Sequence, residues 1–253
     1  MRLHAIEAGQ GPPVVLLHGL FGSAGNWGAI QKGLAPDHRV IALDLRNHGA
    51  SPHDPVMDLP AMAADVAETL AALAAAPAAV IGHSLGGKVA MALALSAPAM
   101  VSRLLVADIA PVAYPPGLRG YVAAMQALPL RPGLTRGDAD AALAEAVPEP
   151  GIRAFLLQNL RLGGAAPTWR LGLAEIAAAM SALEAAPPAG TPYAGPVLVV
   201  AGSRSDYVRP EHHARFRALF PAVSFASLPT GHWVHAEDPA GFLALVKGFL
   251  AGR

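Results

Sequence analysis

The feature that most limits how this chain can fold is a glycine-bracketed serine directly after a short apolar run. Ala79-Val80-Ile81 leads into Gly82-His83-Ser84-Leu85-Gly86-Gly87, and a segment of helical period follows from Lys88 to Leu95. An apolar run of strand length that passes straight into a helix demands a sharp turn, with the helix starting near Gly87 or Lys88. Such a turn holds the serine backbone in a strained conformation, and side chains two positions either side would collide. Gly82 and Gly86 remove them. The helix N-terminus then points unpaired N–H groups at the serine, where they favour negative charge.

Other apolar runs end in the same abrupt way. Val14 to Leu17 stops at His18-Gly19, Val40 to Leu43 at Asp44, Leu104 to Ala107 at Asp108, and Val197 to Ala201 at Gly202. Continuous apolar runs bounded by turn residues predict strands buried on both faces of a mostly parallel sheet. Helical segments such as Leu59 to Leu73 lie between them, and this alternation predicts a doubly wound α/β fold. The Ala-rich stretch from Ala61 to Ala79 carries Asp65 and Glu68 and stops at Pro77, so it reads as a surface helix. Over 253 residues, 53% of them hydrophobic and 14% charged, there is enough apolar surface for one large core.

From about Val112 to Pro192 the alternation lapses. No strand-like run is found there, only helical patches at Tyr121 to Leu128, Ala139 to Val147, Ile152 to Leu160 and Leu171 to Leu183. Its position between two core strands predicts a helical lid over the sheet edge at 112–192, with a core formed by 1–111 and 193–253.

Composition excludes several classes of function. Lys plus Arg number 18 and Asp plus Glu 18, so no charge imbalance draws the chain to nucleic acid or an anionic membrane. The absence of cysteine excludes disulfides, thiolate metal sites and a cysteine nucleophile. No carboxylate or histidine grouping has metal-ligand spacing. Met1-Arg2-Leu3-His4-Ala5 lacks a leader pattern, and polar or glycine breaks interrupt every apolar run, so a soluble, cytoplasmic protein without a membrane span is expected. Oligomeric state is left open.

Several of these stretches together resemble the bacterial YbfF-type esterases and their mitochondrial animal relatives, within the α/β-hydrolases. They are His18-Gly19-Leu20-Phe21-Gly22-Ser23 with Asn26-Trp27, Asp44-Leu45-Arg46-Asn47-His48-Gly49-Ala50-Ser51-Pro52, Gly82 to Lys88, Asp108-Ile109-Ala110-Pro111-Val112, and Gly231-His232-Trp233-Val234-His235. The Gly-x-Ser-x-Gly turn matches the nucleophile elbow of that fold. The resemblance implies an α/β-hydrolase fold with Ser84 as nucleophile. It implies His232 as base, carried between the strand-like Val223 to Leu228 and a terminal helix Pro239 to Leu250. Backbone N–H groups of Leu20 and Leu85 are the expected oxyanion donors. His18 and His235 are expected to be structural, and His212 and His213 to lie solvated on a helix. Many α/β-hydrolases carry the acid after the strand written here Val197 to Ala201. Ser205 occupies that position, with Asp206 one residue late. Asp108, which ends the strand after the nucleophile helix and faces the catalytic edge, is the favoured acid, and Asp206 stays an alternative. The resemblance supports Asp108, since the YbfF-type family also has serine at the Ser205 position and uses the earlier aspartate.

The implied activity is hydrolysis of acyl esters and acyl thioesters of small molecules, without a cofactor. Other chemistry on the same residues competes with it: carbon–carbon bond hydrolysis, a lyase step or cofactor-free haloperoxidation. A non-catalytic ligand-binding role is a further alternative. Leu156, Trp169 and Met180 are candidates for an acyl-binding lining or for packing among the inserted helices. Arg119, Arg153 and Arg161 are candidates for a coenzyme A phosphate or for solvated faces.

Overall fold

Strands that are apolar at every position need cover on both faces, and the chain supplies it. In the computed structural model, which describes residues 1–188 and 190–252, seven strands form one sheet. They are β1 (Ala5–Ala8), β2 (Pro13–Leu17), β3 (Arg39–Leu43), β4 (Ala78–His83), β5 (Val101–Ala107) and two later strands in the order β1-β3-β2-β4-β5-β8-β9. Within the segment between β5 and β8 (Val197–Gly202), β6 (Leu160–Arg161) and β7 (Thr168–Trp169) pair only with each other. The last strand of the sheet is β9 (Val223–Leu228). All pairings in the large sheet are parallel except β1 with β3.

Side chains alternate between two cores. Val15 and Leu17 enter one, and Val14 and Leu16 enter the other. The second core is closed by α1 (Gly28–Leu34) and the terminal α10 (Pro239–Leu250), through Ile30, Leu34, Phe242 and Val246. The first is closed by α2 (Leu59–Ala72) and α3 (Leu85–Ser96), the latter buried from Leu85 through Leu95. Asp58 starts α2 by accepting the Ala61 N–H at 2.8 Å. Asp238 starts α10 in the same way from Gly241.

Between β5 and β8 lie α4 (Arg119–Ala127), α5 (Arg136–Leu143), α6 (Pro150–Leu157) and α7 (Leu173–Glu184). Leu128, Ala139, Leu143, Leu157 and Leu160 form a small core of their own. Val122, Met125, Leu156, Ile176 and Met180 join the main one. Two short helices, α8 (His213–Leu219) and α9 (Val234–Glu237), flank β9.

Three expectations are corrected, and one strand is added. Helix α3 begins at Leu85, because the two glycines after it continue the helix, Gly86 packed under the Leu17 and His18 carbonyls and Gly87 against Ile109 and Val106. The inserted segment does contain strands, the two-residue pair β6 and β7. Strand β1 went unmarked: four residues on a half-exposed edge leave no apolar run to find. Asp65 does not face water but is 1% exposed, where its carboxylate pairs with Arg46 Nε at 2.6 Å and with the Met1 ammonium. No helix among the described residues is long and apolar enough to cross a membrane.

Candidate active site

Strand β4 delivers Ser84 to the carboxyl rim of the sheet. Its N–H donates to the Ala107 carbonyl at 3.0 Å, which carries the β4–β5 ladder one residue past the strand. The chain then reverses into α3 with Ser84 at φ 51°, ψ −119°. A non-glycine residue held there costs about 1–3 kcal/mol, so its surroundings must enforce it. They do: a Cβ on Gly82 would strike the Gly86 carbonyl, and one on Gly86 would strike the Leu17 and His18 carbonyls. Only glycine permits this approach.

Strand β5 ends similarly, with Asp108 at φ 50°. Its N–H donates to the Val200 carbonyl at 2.9 Å, and the side chain is fully buried. Oδ1 accepts the Gly202 N–H at 2.9 Å; Oδ2 accepts Ser205 Oγ–H at 2.5 Å and His232 Nδ1–H at 2.8 Å. A carboxylate can only accept, so the proton of neutral His232 is on Nδ1 and Nε2 is free to take another. Asp206, by contrast, has a side chain 92% exposed and lies 3.8 Å from Arg209. The structure brings Asp108, and not Asp206, to His232.

His232 is held from two further sides. The Tyr207 ring stacks on its imidazole at 4.1 Å. His83 Nε2–H donates to the His232 carbonyl at 2.9 Å. Burial, with the neighbouring His232 and His235, keeps the His83 pKa well below the usual histidine value, so this donor is a neutral ring.

The loop after β2 faces the serine. Gly22 N–H donates to the Gly19 carbonyl at 2.9 Å, closing a turn whose third residue, Phe21, has φ 64°. This is the pattern of a type II turn, which ordinarily takes glycine there. Phe21 is fixed because its ring is buried, its N–H donates to His48 Nε2 at 3.2 Å and its carbonyl accepts from Asn159 Nδ2 at 2.8 Å. With Phe21 and Gly22 so engaged, the Leu20 N–H has no acceptor among the described residues. Nor has that of Leu85, the first residue of α3, as helix geometry requires.

Two buried histidines support this loop. Leu45 N–H donates to His18 Nε2 at 3.0 Å, and Phe21 N–H to His48 Nε2. A backbone N–H can only donate, so both rings carry their proton on Nδ1, where Nδ1–H donates to the Gly19 and Arg46 carbonyls, each at 2.8 Å. Burial lowers both pKa values, that of His48 to about 3. His18 is thus a structural hydrogen-bonding residue.

Ser84 and His232 line one cavity of about 530 Å³, with Leu20, Phe155, Leu156 and Trp233 among its walls. A second cavity of about 410 Å³ adjoins it at Leu20, Ser84, Leu118 and Tyr207. Ser84 stands at their junction. No group of three or more His, Asp or Glu side chains among the described residues could hold a metal ion.

A family model described as "Alpha/beta hydrolase family" matches residues 14–245, nearly the whole sheet and everything that lines the site. The chain belongs to the α/β-hydrolase family. This hydrolase is 41% identical to the Mus musculus "sn-1-specific diacylglycerol lipase ABHD11" over 95% of this chain and 81% of that protein. It is 37% identical to "Esterase YbfF" of Escherichia coli (strain K12), over 94% and 92% of the two chains. Among solved structures it is similar to a "Marine microorganism esterase", with TM-score 0.95 and 29% identity over 98% and 99% of the chains.

Other expectations for the hydrolase fared unevenly. Arg119 is paired with Glu184 and Ser181, and Arg153 with Asp140, so both are engaged within the inserted helices; Arg161 lies exposed on β6. Leu156 lines the first cavity and Met180 the second, whereas Trp169 packs between the cores. His235 is buried against Trp27 at 4.3 Å, where burial lowers its pKa to about 4. His212 and His213 are both half-buried, His212 edge-on to Tyr114 at 6.4 Å and His213 stacked on Phe225 at 3.9 Å. Sequence reasoning missed Tyr207 and the anchoring role of His83. The adjacency of His83 to Ser84 was the one signal available; Tyr207 reaches the site from a loop without any.

Proposed function

We propose that this hydrolase cleaves carboxylic esters through an acyl-enzyme, with Ser84 as nucleophile, His232 as base and then acid, and Asp108 as the group that orients His232. The observation that carries this reading is the 2.8 Å contact between Asp108 Oδ2 and His232 Nδ1, beside a serine held in a strained turn on the same cavity. His232 Nε2 takes the Ser84 proton as Oγ bonds to the acyl carbon. The N–H groups of Leu20 and Leu85 receive the oxyanion; such donors are each worth about 10²–10³ in rate. His232 then gives its proton to the leaving oxygen, and water repeats the sequence on the acyl-enzyme. Relatives named as an esterase and a diacylglycerol lipase both act on esters, which supports this chemistry.

We extend the reading to small-molecule acyl thioesters, because the same steps serve a sulfur leaving group. Residues 112–192 are taken as a lid over a core made of 1–111 and 193–253. Leu118, Tyr121, Ile152, Phe155 and Met180 of that segment line the two cavities, which supports the division. The test is a fluorophosphonate probe with a p-nitrophenyl ester. The expected results are a stoichiometric adduct on Ser84, a burst of nitrophenol and loss of both in Ser84→Ala. Unlabelled Ser84 in folded protein, or full turnover by Ser84→Ala, rejects the reading.

A further inference from the structure

Two cavities meeting at one nucleophile raise the question of which half of an ester each receives. Resting on the mechanism above, we propose that the larger cavity holds the leaving group and the smaller, between α3, α7 and the β5–α4 loop, holds the acyl chain.

The path of one proton decides which side is which. When the Ser84 Oγ–carbon bond forms, the carbonyl electron pair moves to oxygen and the proton passes to His232. When the leaving oxygen–carbon bond breaks, the same proton goes to that oxygen, which must therefore lie against His232. His232 lines the 530 Å³ cavity and is not among the residues lining the 410 Å³ one. Tyr207, stacked on the imidazole at 4.1 Å, stands between them. With the oxyanion facing Leu20 and Leu85, the acyl chain has the second cavity left to it.

The chemistry of that cavity suits an uncharged chain. Ile109, Val112, Met180 and Leu183 supply apolar wall. Of the charged groups in the wall, Lys88 Nζ donates to three carbonyls and Glu184 accepts from Arg119, whereas Asp206 and Arg209, 3.8 Å apart, are solvent-exposed. The charges beside α3 and α7 are thus tied to protein partners, while Asp206 and Arg209 stand at the exposed rim, so chain length and bulk set the preference along the apolar wall. The larger cavity is also of mixed character, with Asn26, Gln158 and Glu237 beside Phe155 and Leu156 in its wall, so it is the place of His232 that tells the two apart.

The test crosses three variants with two substrate series. Met180→Phe narrows the acyl cavity, Met180→Ala widens it, and Ile152→Trp narrows the other. One series is p-nitrophenyl esters of rising acyl length; the other is butyrate esters of alcohols of rising size. Each accommodated methylene is expected to raise kcat/KM about three- to fourfold. Met180→Phe should move the acyl optimum to shorter chains and Met180→Ala to longer ones, with the alcohol profile kept. Ile152→Trp should compress the alcohol profile and keep the acyl optimum. The reverse pattern, or an acyl optimum unmoved by both Met180 variants, overturns the assignment. Hydrolysis undiminished in Ser84→Ala would instead reject the mechanism on which the assignment rests.

Discussion

A single oxygen of Asp108 serves both His232 and Ser205: Oδ2 accepts Nδ1–H at 2.8 Å and Oγ–H at 2.5 Å, while Oδ1 is taken by the Gly202 N–H. Asp108→Asn exchanges an acceptor for a donor amide and removes the preference for the Nδ1–H form of His232. Its kcat is expected to fall about 10⁴-fold with the fold intact. Asp206→Asn, on an exposed side chain, should stay within about twofold of the parent. Steady-state hydrolysis of a p-nitrophenyl ester checks both; near-normal turnover by Asp108→Asn removes Asp108 from the mechanism.

These two aspartates also mark how far the sequence could be read. The strand, the glycines and the serine were legible because a tight approach of backbones admits only Gly82 and Gly86, so identity encodes geometry there. The place of His232 followed from strand order, since parallel strands send their following loops to one rim. The choice between Asp108 and Asp206 was legible only in part: Asp108 ends the strand after the nucleophile helix and so faces the catalytic rim, which favours it without excluding Asp206. It turns on where a side chain points from a backbone at φ 50°, and on a loop offset of one residue. Asp65 was misread because its partner Arg46 lies on a distant loop, so an acidic residue in an Ala-rich helix looked solvated. Tyr207 offered no pattern, being a loop residue whose stacking exists only once the fold is complete.

The turn at Gly19–Gly22 allows one backbone donor to be removed without disturbing its neighbours. Proline suits the second position of a type II turn, which is Leu20. Leu20→Pro should therefore fold, yet lacks the N–H assigned to the oxyanion. Its kcat is expected to lie about 10²–10³-fold below that of Leu20→Ala, which loses the same side chain and keeps the N–H. Equal rates for the two variants would show that this N–H takes no part.

Acid should unfold the protein through its buried rings. His18, His48, His83 and His235 all have lowered pKa values, chiefly from burial, with His235 at about 4 and His48 at about 3. In the unfolded chain they protonate near 6.5. Below that pH the unfolded state binds more protons and stability falls, until the folded rings themselves protonate. Each contributes at most about 1.4 kcal/mol per pH unit. Urea midpoints should drop between pH 6.5 and 4, and His48→Gln should reduce the slope by one histidine's share. A midpoint constant over that range contradicts the neutral-ring assignment.

Helix α7 is fastened to α3 through one buried ammonium. Lys88, 3% exposed, donates to the carbonyls of Leu183 at 3.0 Å, Glu184 at 3.0 Å and Ala185 at 2.7 Å, with the Tyr114 ring 5.0 Å from the ammonium. A helix leaves its last carbonyls unpaired and carries partial negative charge at that end, and one ammonium answers both with its three protons. Lys88→Met keeps the apolar stem but strands these carbonyls, at an expected loss of about 2–4 kcal/mol. The effect should be local. Amide exchange should quicken in 173–184 more than in 85–96, and KM should rise more than kcat falls, because Met180 and Leu183 of α7 line the smaller cavity. If Lys88→Met matches the parent in urea midpoint and in α7 exchange, the helix is held by its apolar face alone.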